Sequence, residues 1–167
     1  MPKNAPFTPK ELAFFQALQR RRVPFLVVGL SAATLQGAPV VTQDIDLWFE
    51  NLGDPKFRSA LKEIGGFFVP PFGANPPQIG GEGLDLFDVV VHLHGLEPFR
   101  KEYCRSKKIR VGNVILHVLP LDRIVKSKRA LGRKKDEAVL PVLLDACRAI
   151  SGGKKRRRAK LLRELGR

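Results

Sequence analysis

The sequence predicts an α/β (α+β) domain: a small mixed sheet flanked by helices, with further helices towards the C-terminus. Three observations carry that prediction. Helical periodicity with capping signals recurs along the chain, and short apolar runs closed by glycine alternate with it, as buried strands do. The 167 residues, 44% of them hydrophobic, are enough for one core that buries about 70% of the unfolded surface. Residues 1–150 are therefore expected to form one domain.

Thr8-Pro9-Lys10-Glu11 has the form of a capping box with proline at the first helical position, and Leu12, Phe15 and Leu18 follow at helical spacing, which predicts a helix over 9–21. Phe25–Val28 is a continuous apolar run closed by Gly29, a buried strand. A short helix from Ser31 to Leu35 follows, then an extended segment from Pro39 to Phe49. Asp54-Pro55 and Gly65-Gly66 bracket a helix with Phe57, Leu61 and Ile64 on one face. The proline- and glycine-rich stretch 70–83 reads as irregular loop. A strand is expected over 84–93 and a hairpin around Gly112-Asn113. Helices over 121–131 and 135–150 close the domain, ending at Ser151-Gly152-Gly153.

The net charge of +14 points to a polyanionic partner or substrate. Half of it lies in "SGGKKRRRAKLLRELGR", residues 151–167, read as a flexible basic tail able to contact RNA phosphates without sequence preference. No apolar run approaches the roughly 20 residues of a membrane helix, and "MPKNAPFTPKELAFF" lacks a signal-peptide core, so a cytoplasmic protein without membrane contact is expected. Cys104 and Cys147 have no zinc-site or disulfide-framework spacing.

The chemistry is concentrated in "VVGLSAATLQGAPVVTQDIDLWFE". Asp44 and Asp46 stand two apart in an extended segment, so both carboxylates address one volume. Their repulsion calls for a cation, and a divalent ion held by carboxylate oxygens at about 2.0 to 2.6 Å is the common answer. Ahead of them, Gly29 opens a short helix whose first N–H groups could meet an anion. A nucleoside triphosphate with its metal suits that pairing. A third carboxylate on an adjacent strand would complete a two-metal site, and Asp85 or Asp88 can supply it. Three apart on a strand, those two cannot both face the metals unless a bulge intervenes.

The segments "VVGLSAATLQG", "TQDIDLWF", "GLDLFDVV" and "DRIVKSKRALGRKKDEAVLPVL" together resemble the nucleotidyltransferases of the polymerase β superfamily, in particular small bacterial AbiEii-like and minimal nucleotidyltransferases. The resemblance implies a nucleotidyltransferase fold and transfer of a nucleoside monophosphate from an NTP to an acceptor hydroxyl. It implies magnesium or manganese held by Asp44, Asp46 and Asp85, with Gly29 and Ser31 orienting the phosphates. Leu30 departs from the family, which usually has glycine or serine directly after the first glycine. RNA or tRNA, a cognate toxin or antitoxin protein in a phage-defence or toxin–antitoxin system, and small molecules are the acceptors or partners that relatives suggest. The alternative is a catalytically weak module of the same fold that binds RNA or a partner protein.

Leu121, Ile124, Val125 and Leu131 mark an apolar helical stripe with Lys128 inside it. Such a lysine needs a partner, and the expectation is that it points to the triphosphate or an aspartate, with Arg129 and Arg133 nearer the rim. His92 and His94 could ligate a metal in principle, but carboxylates already provide a site better suited to magnesium. Trp48 and Phe49 read as core.

Overall fold

The computed structural model describes the chain over residues 6–165, with side chains up to residue 157. Helix α1 (Pro9–Arg20) begins on the expected capping box: Thr8 caps the Glu11 N–H while the Glu11 carboxylate accepts from the Thr8 N–H at 2.7 Å. Strand β1 (Phe25–Val27), helix α2 (Gly29–Leu35) and strand β2 (Ile45–Phe49) follow. Helix α3 (Pro55–Glu63) is capped by Asp54, and leads to β3 (Phe67–Val69), β4 (Gln78–Gly80) and β5 (Phe87–Val90). The chain continues through α4 (Phe99–Arg105), the hairpin β6 (Lys107–Val111) and β7 (Val114–Val118), then α5 (Leu121–Leu131) and α6 (Lys134–Leu165).

The seven strands form one mixed sheet in the order β3-β4-β5-β2-β1-β7-β6. Strand β2 runs antiparallel to β1, with Leu26 opposite Trp48, and parallel to β5. Alternation along β2 divides its side chains between two faces. Phe49 joins Phe25, Phe57, Phe15, Phe14 and Phe87 in a run of aromatic contacts under α1 and α3. Asp46 and Trp48 take the other face, where Trp48 meets Phe99 of α4 edge-on at 5.3 Å. Trp48 and Phe49 are both buried, as expected of core residues. The carboxylate face is thus the one covered by the later helices.

Several elements differ from the sequence expectation, β3 among them. The 70–83 stretch is not wholly irregular, since β4 pairs there with β3. The ring of Phe67 lies over Gly80, where a Cβ would stand 2.5 Å from its Cζ, so the glycine that reads as a breaker makes room for an aromatic neighbour. The strand expected over 84–93 is confined to β5, which leaves Asp85 in the turn closed by the Phe87 N–H to the Leu84 carbonyl at 3.1 Å. Helix α4 was not expected, because its few residues after Pro98 show no extended period. The last helix does not stop at Gly152-Gly153: α6 continues to Leu165 and carries Pro141 within it, so the described part of the basic segment is helical rather than irregular.

Candidate active site

The carboxylates meet at one end of the central strands. The Val28 N–H donates to the Asp46 carbonyl at 2.9 Å, so the chain leaves β1 directly beside Asp46 and turns at Gly29 into α2. Gly29 has φ +63°, and a Cβ there would lie 2.0 Å from Asp46 Oδ2. The left-handed backbone favours glycine, and the close carboxylate leaves no room for a Cβ without displacing Asp46. Ser31 is buried. Its hydroxyl donates to the Val28 carbonyl at 2.9 Å and accepts from the Asp46 N–H at 3.3 Å, tying the turn to both strands.

Strand register sets a third carboxylate beside Asp46. Asp46 pairs with Asp88 on parallel β5, one strand spacing away on the same face. Asp44 stands exposed just before β2, held by the Thr42 hydroxyl, which accepts from the Asp44 N–H at 3.3 Å. Asp44, Asp46 and Asp88 line a cleft of about 440 Å³, together with Gly29, Leu30, His92, Lys128, Arg133, Lys135 and Asp136 among others. Asp85, expected as the third carboxylate, lies exposed in its turn and away from the cleft wall. Ser31, expected at the phosphates, is likewise absent from that wall, its hydroxyl being engaged by backbone. His92 and His94 follow the end of β5, their rings edge-to-face at 4.9 Å, and only His92 reaches the cleft.

Burial, then the negative charges of Asp88 and Asp44, push the Asp46 carboxyl up to about 6, against the opposing pull of Lys128 and Lys135. Asp88 is pushed up too, by burial and by Asp44. These are the shifts of an acidic cluster lacking sufficient positive charge.

The opposite wall is cationic. Lys128 sits on the buried stripe of α5, and instead of reaching an aspartate of the cluster it donates to Asp136 Oδ1 at 2.8 Å. Helix α5 ends at Gly132, whose φ of +62° reverses the chain and delivers Asp136, in the first turn of α6, beneath Lys128. Asp136 is 1% exposed. Burial alone would raise its carboxyl, but hydrogen bonds from Arg133 (Nε to Oδ2, 2.6 Å) and Lys128 outweigh it and hold the group down at about 2. Sequence reasoning missed Asp136. The available signal was the Gly132 helix stop between Lys128 and an acid three residues after Arg133.

Among the described residues, no three acidic, imidazole or thiol groups converge closely enough to enclose a metal ion as they are placed. In kind, the donors nevertheless suit a hard divalent ion: three carboxylates, two of them on adjacent strands and both driven up by burial and by neighbouring carboxylates.

No protein-family model matches the chain, and no curated protein does. Solved structures do. The antibiotic-resistance factor ANT(2'')-Ia in solution aligns over 93% of this chain and 94% of its own, at 12% identity and a TM-score of 0.58. A crystal structure of ANT(2'')-Ia in complex with adenylyl-2''-tobramycin aligns over 94% and 97%, at 13% identity and a TM-score of 0.54. The chain has a nucleotidyltransferase-like fold. At such identities the likeness concerns the fold. It bears out the α/β class and the broad resemblance read from the sequence, and does not single out the AbiEii-like branch.

Proposed function

We propose that the cleft transfers a nucleoside monophosphate from an NTP to an acceptor hydroxyl. The observation that carries this reading is the register pairing of Asp46 with Asp88, which sets an acidic cluster against the Lys128, Arg133 and Lys135 wall across one cleft. The ANT(2'')-Ia structures share the fold, and one of them holds an adenylylated ligand, adenylyl-2''-tobramycin.

In this reading Asp44, Asp46 and Asp88 would hold magnesium or manganese, with Asp88 taking the role first expected of Asp85. The metal would neutralise the triphosphate and polarise the attacked phosphorus. Asp88, the register partner of Asp46 at the cleft, is the general base for the acceptor hydroxyl. The acceptor oxygen attacks the α-phosphorus, the bond to the pyrophosphate oxygen breaks, and the proton passes to Asp88. Lys128, Lys135 and Arg133 meet the charge that moves onto the pyrophosphate. Asp136 is a positioning residue that fixes Lys128 and Arg133. Gly29 lets the backbone approach Asp46, and Ser31 acts through the backbone rather than on phosphate.

The net charge of +14 and the exposed Lys154–Arg157 on α6 favour RNA or tRNA as the acceptor over a protein partner such as a cognate toxin or antitoxin. Incubation with labelled NTPs, magnesium and total RNA tests the reading. The expected result is label transfer that falls at least about a hundredfold in Asp88→Asn, while Asp85→Asn keeps most activity. NTP retention without transfer would favour the alternative of a binding module. Loss in Asp85→Asn with activity kept in Asp88→Asn would overturn the site assignment.

A further inference from the structure

A second cavity of about 450 Å³ lies at the opposite end of β1 from the carboxylates, walled by Gln19, Arg22 and Tyr103 and floored by Lys108, Ile115 and His117 among others. Its base is an aromatic column. Tyr103 stacks on Phe99 at 5.5 Å on one side and on His117 at 4.3 Å with an interplanar angle of 18° on the other. Hydrogen bonding fixes the histidine tautomer. The Ser106 hydroxyl gives its single proton to the Tyr103 carbonyl at 2.6 Å, so at 2.7 Å it accepts from Nδ1–H of His117. Burial and the neighbouring Lys108 push the His117 imidazole down from its usual value. The ring is therefore neutral at pH 7, with Nε2 left as an acceptor.

Two cations flank the column. Lys108 is the cross-strand partner of His117 in the β6–β7 hairpin. Arg22 follows the C-cap of α1 with φ +55°, and among the described residues no other non-glycine residue has a positive φ. The turn is closed by the Val23 N–H to the Leu18 carbonyl at 2.9 Å. Glycine is the ordinary occupant of such a position. An arginine there bears a backbone strain that glycine would avoid, and it stands at the mouth of the cavity.

We propose that this groove is a second nucleotide site, where a base stacks on His117 to extend the aromatic column and Arg22 and Lys108 meet its phosphate. A π-face and paired cations are elements by which proteins hold a single base with its phosphate. The nucleotide is either free or one residue of a single strand. Its binding requires neither the metal nor the cleft carboxylates, so the inference stands apart from the transfer reaction.

The chain's three histidines make the test direct, because His117 reports the groove and His92 the cleft. Their ring resonances are followed by NMR in EDTA during titration with AMP, with adenosine, and with a 5'-phosphorylated oligo(A) pentamer. Saturable displacement of His117 by AMP identifies a free-nucleotide site. Displacement by the pentamer alone identifies a strand site. In either case adenosine binds at least about tenfold more weakly than the phosphorylated ligand. Arg22→Gly is expected to raise Tm by roughly 1 to 4 °C as strain is released, yet to weaken binding at least about fivefold. Lys108→Gln weakens it comparably with Tm unchanged. The proposal is overturned if neither phosphorylated ligand moves His117, or if Arg22→Gly binds as tightly as the parent.

Discussion

Replacing Asp46 by asparagine should stabilise the protein in the absence of metal, although it sits at the centre of the candidate site. The Asp46 carboxyl is raised from 3.8 to about 6, chiefly by burial and then by Asp88 and Asp44, after the attraction of Lys128 and Lys135 has been counted. Because the folded value exceeds the unfolded one, the folded state holds the proton more tightly between those two pH values. The associated stability is fully present below pH 3.8 and is lost as pH rises through about 6. At 1.36 kcal/mol per pH unit, the ionised group costs the fold about 3 kcal/mol at neutral pH. Asparagine keeps the shape beside Gly29 and never ionises. For a chain of this size the gain corresponds to a Tm higher by roughly 6 to 12 °C. Thermal unfolding of both proteins in EDTA from pH 4 to pH 8 measures it: the two should melt together near pH 4 and separate progressively by pH 7. Magnesium added at pH 7.5 should raise the parent and leave Asp46→Asn in place. Equal melting temperatures at pH 7, or a gap that does not change with pH, would refute the picture of an under-neutralised carboxylate cluster.

The turn and the cationic wall give two further expectations. Gly29→Ala imposes a side chain at φ +63° and places its Cβ on the Asp46 carboxylate, so unfolding in urea should show a loss of more than about 2 kcal/mol together with loss of nucleotide binding. Asp136→Asn leaves the Lys128 and Arg133 charges poorly matched and should cost about 2 to 4 kcal/mol at pH 7. Its parent's advantage, present above pH 3.8, should fade as pH falls through about 2, the sign that follows from a depressed carboxyl.

Much of this architecture was legible because local chemistry and global fold agree. The Thr8–Glu11 box, the apolar run of β1 and the Gly112 hairpin each carry a signal that needs no distant partner, and the structure places elements at all three. Helix α4 and strand β4 are short and owe their existence to what they pack against: Phe99 to Trp48, Gly80 to the ring of Phe67. Such elements have no period to read. The glycine pair at 152–153 reads as a stop, yet α6 passes through it, which shows how weak a helix breaker is without a competing cap.

The site divides along the same line. Asp44 and Asp46 were visible as a pair because a two-residue spacing is a local property, even though Asp44 stands just before β2, and parity argued that Asp85 and Asp88 would not both join them. Choosing between the two required knowing which side of β5 faces the main aromatic core. Phe87 contained that information. It packs edge-on against Phe14 at 5.0 Å and Phe15 at 5.5 Å, so α1 claims its side of the sheet and Asp88, its immediate neighbour in sequence, must turn to the other. The largest apolar residue in "GLDLFDVV" thus sets the direction of the acid beside it. Asp85, displaced into a turn, escapes that alternation altogether. Lys128 illustrates the complementary limit, since its position on a buried stripe demanded a partner but could not identify one. Asp136 becomes that partner only because Gly132 reverses the chain between them, a relation set by one backbone conformation and not by any periodicity.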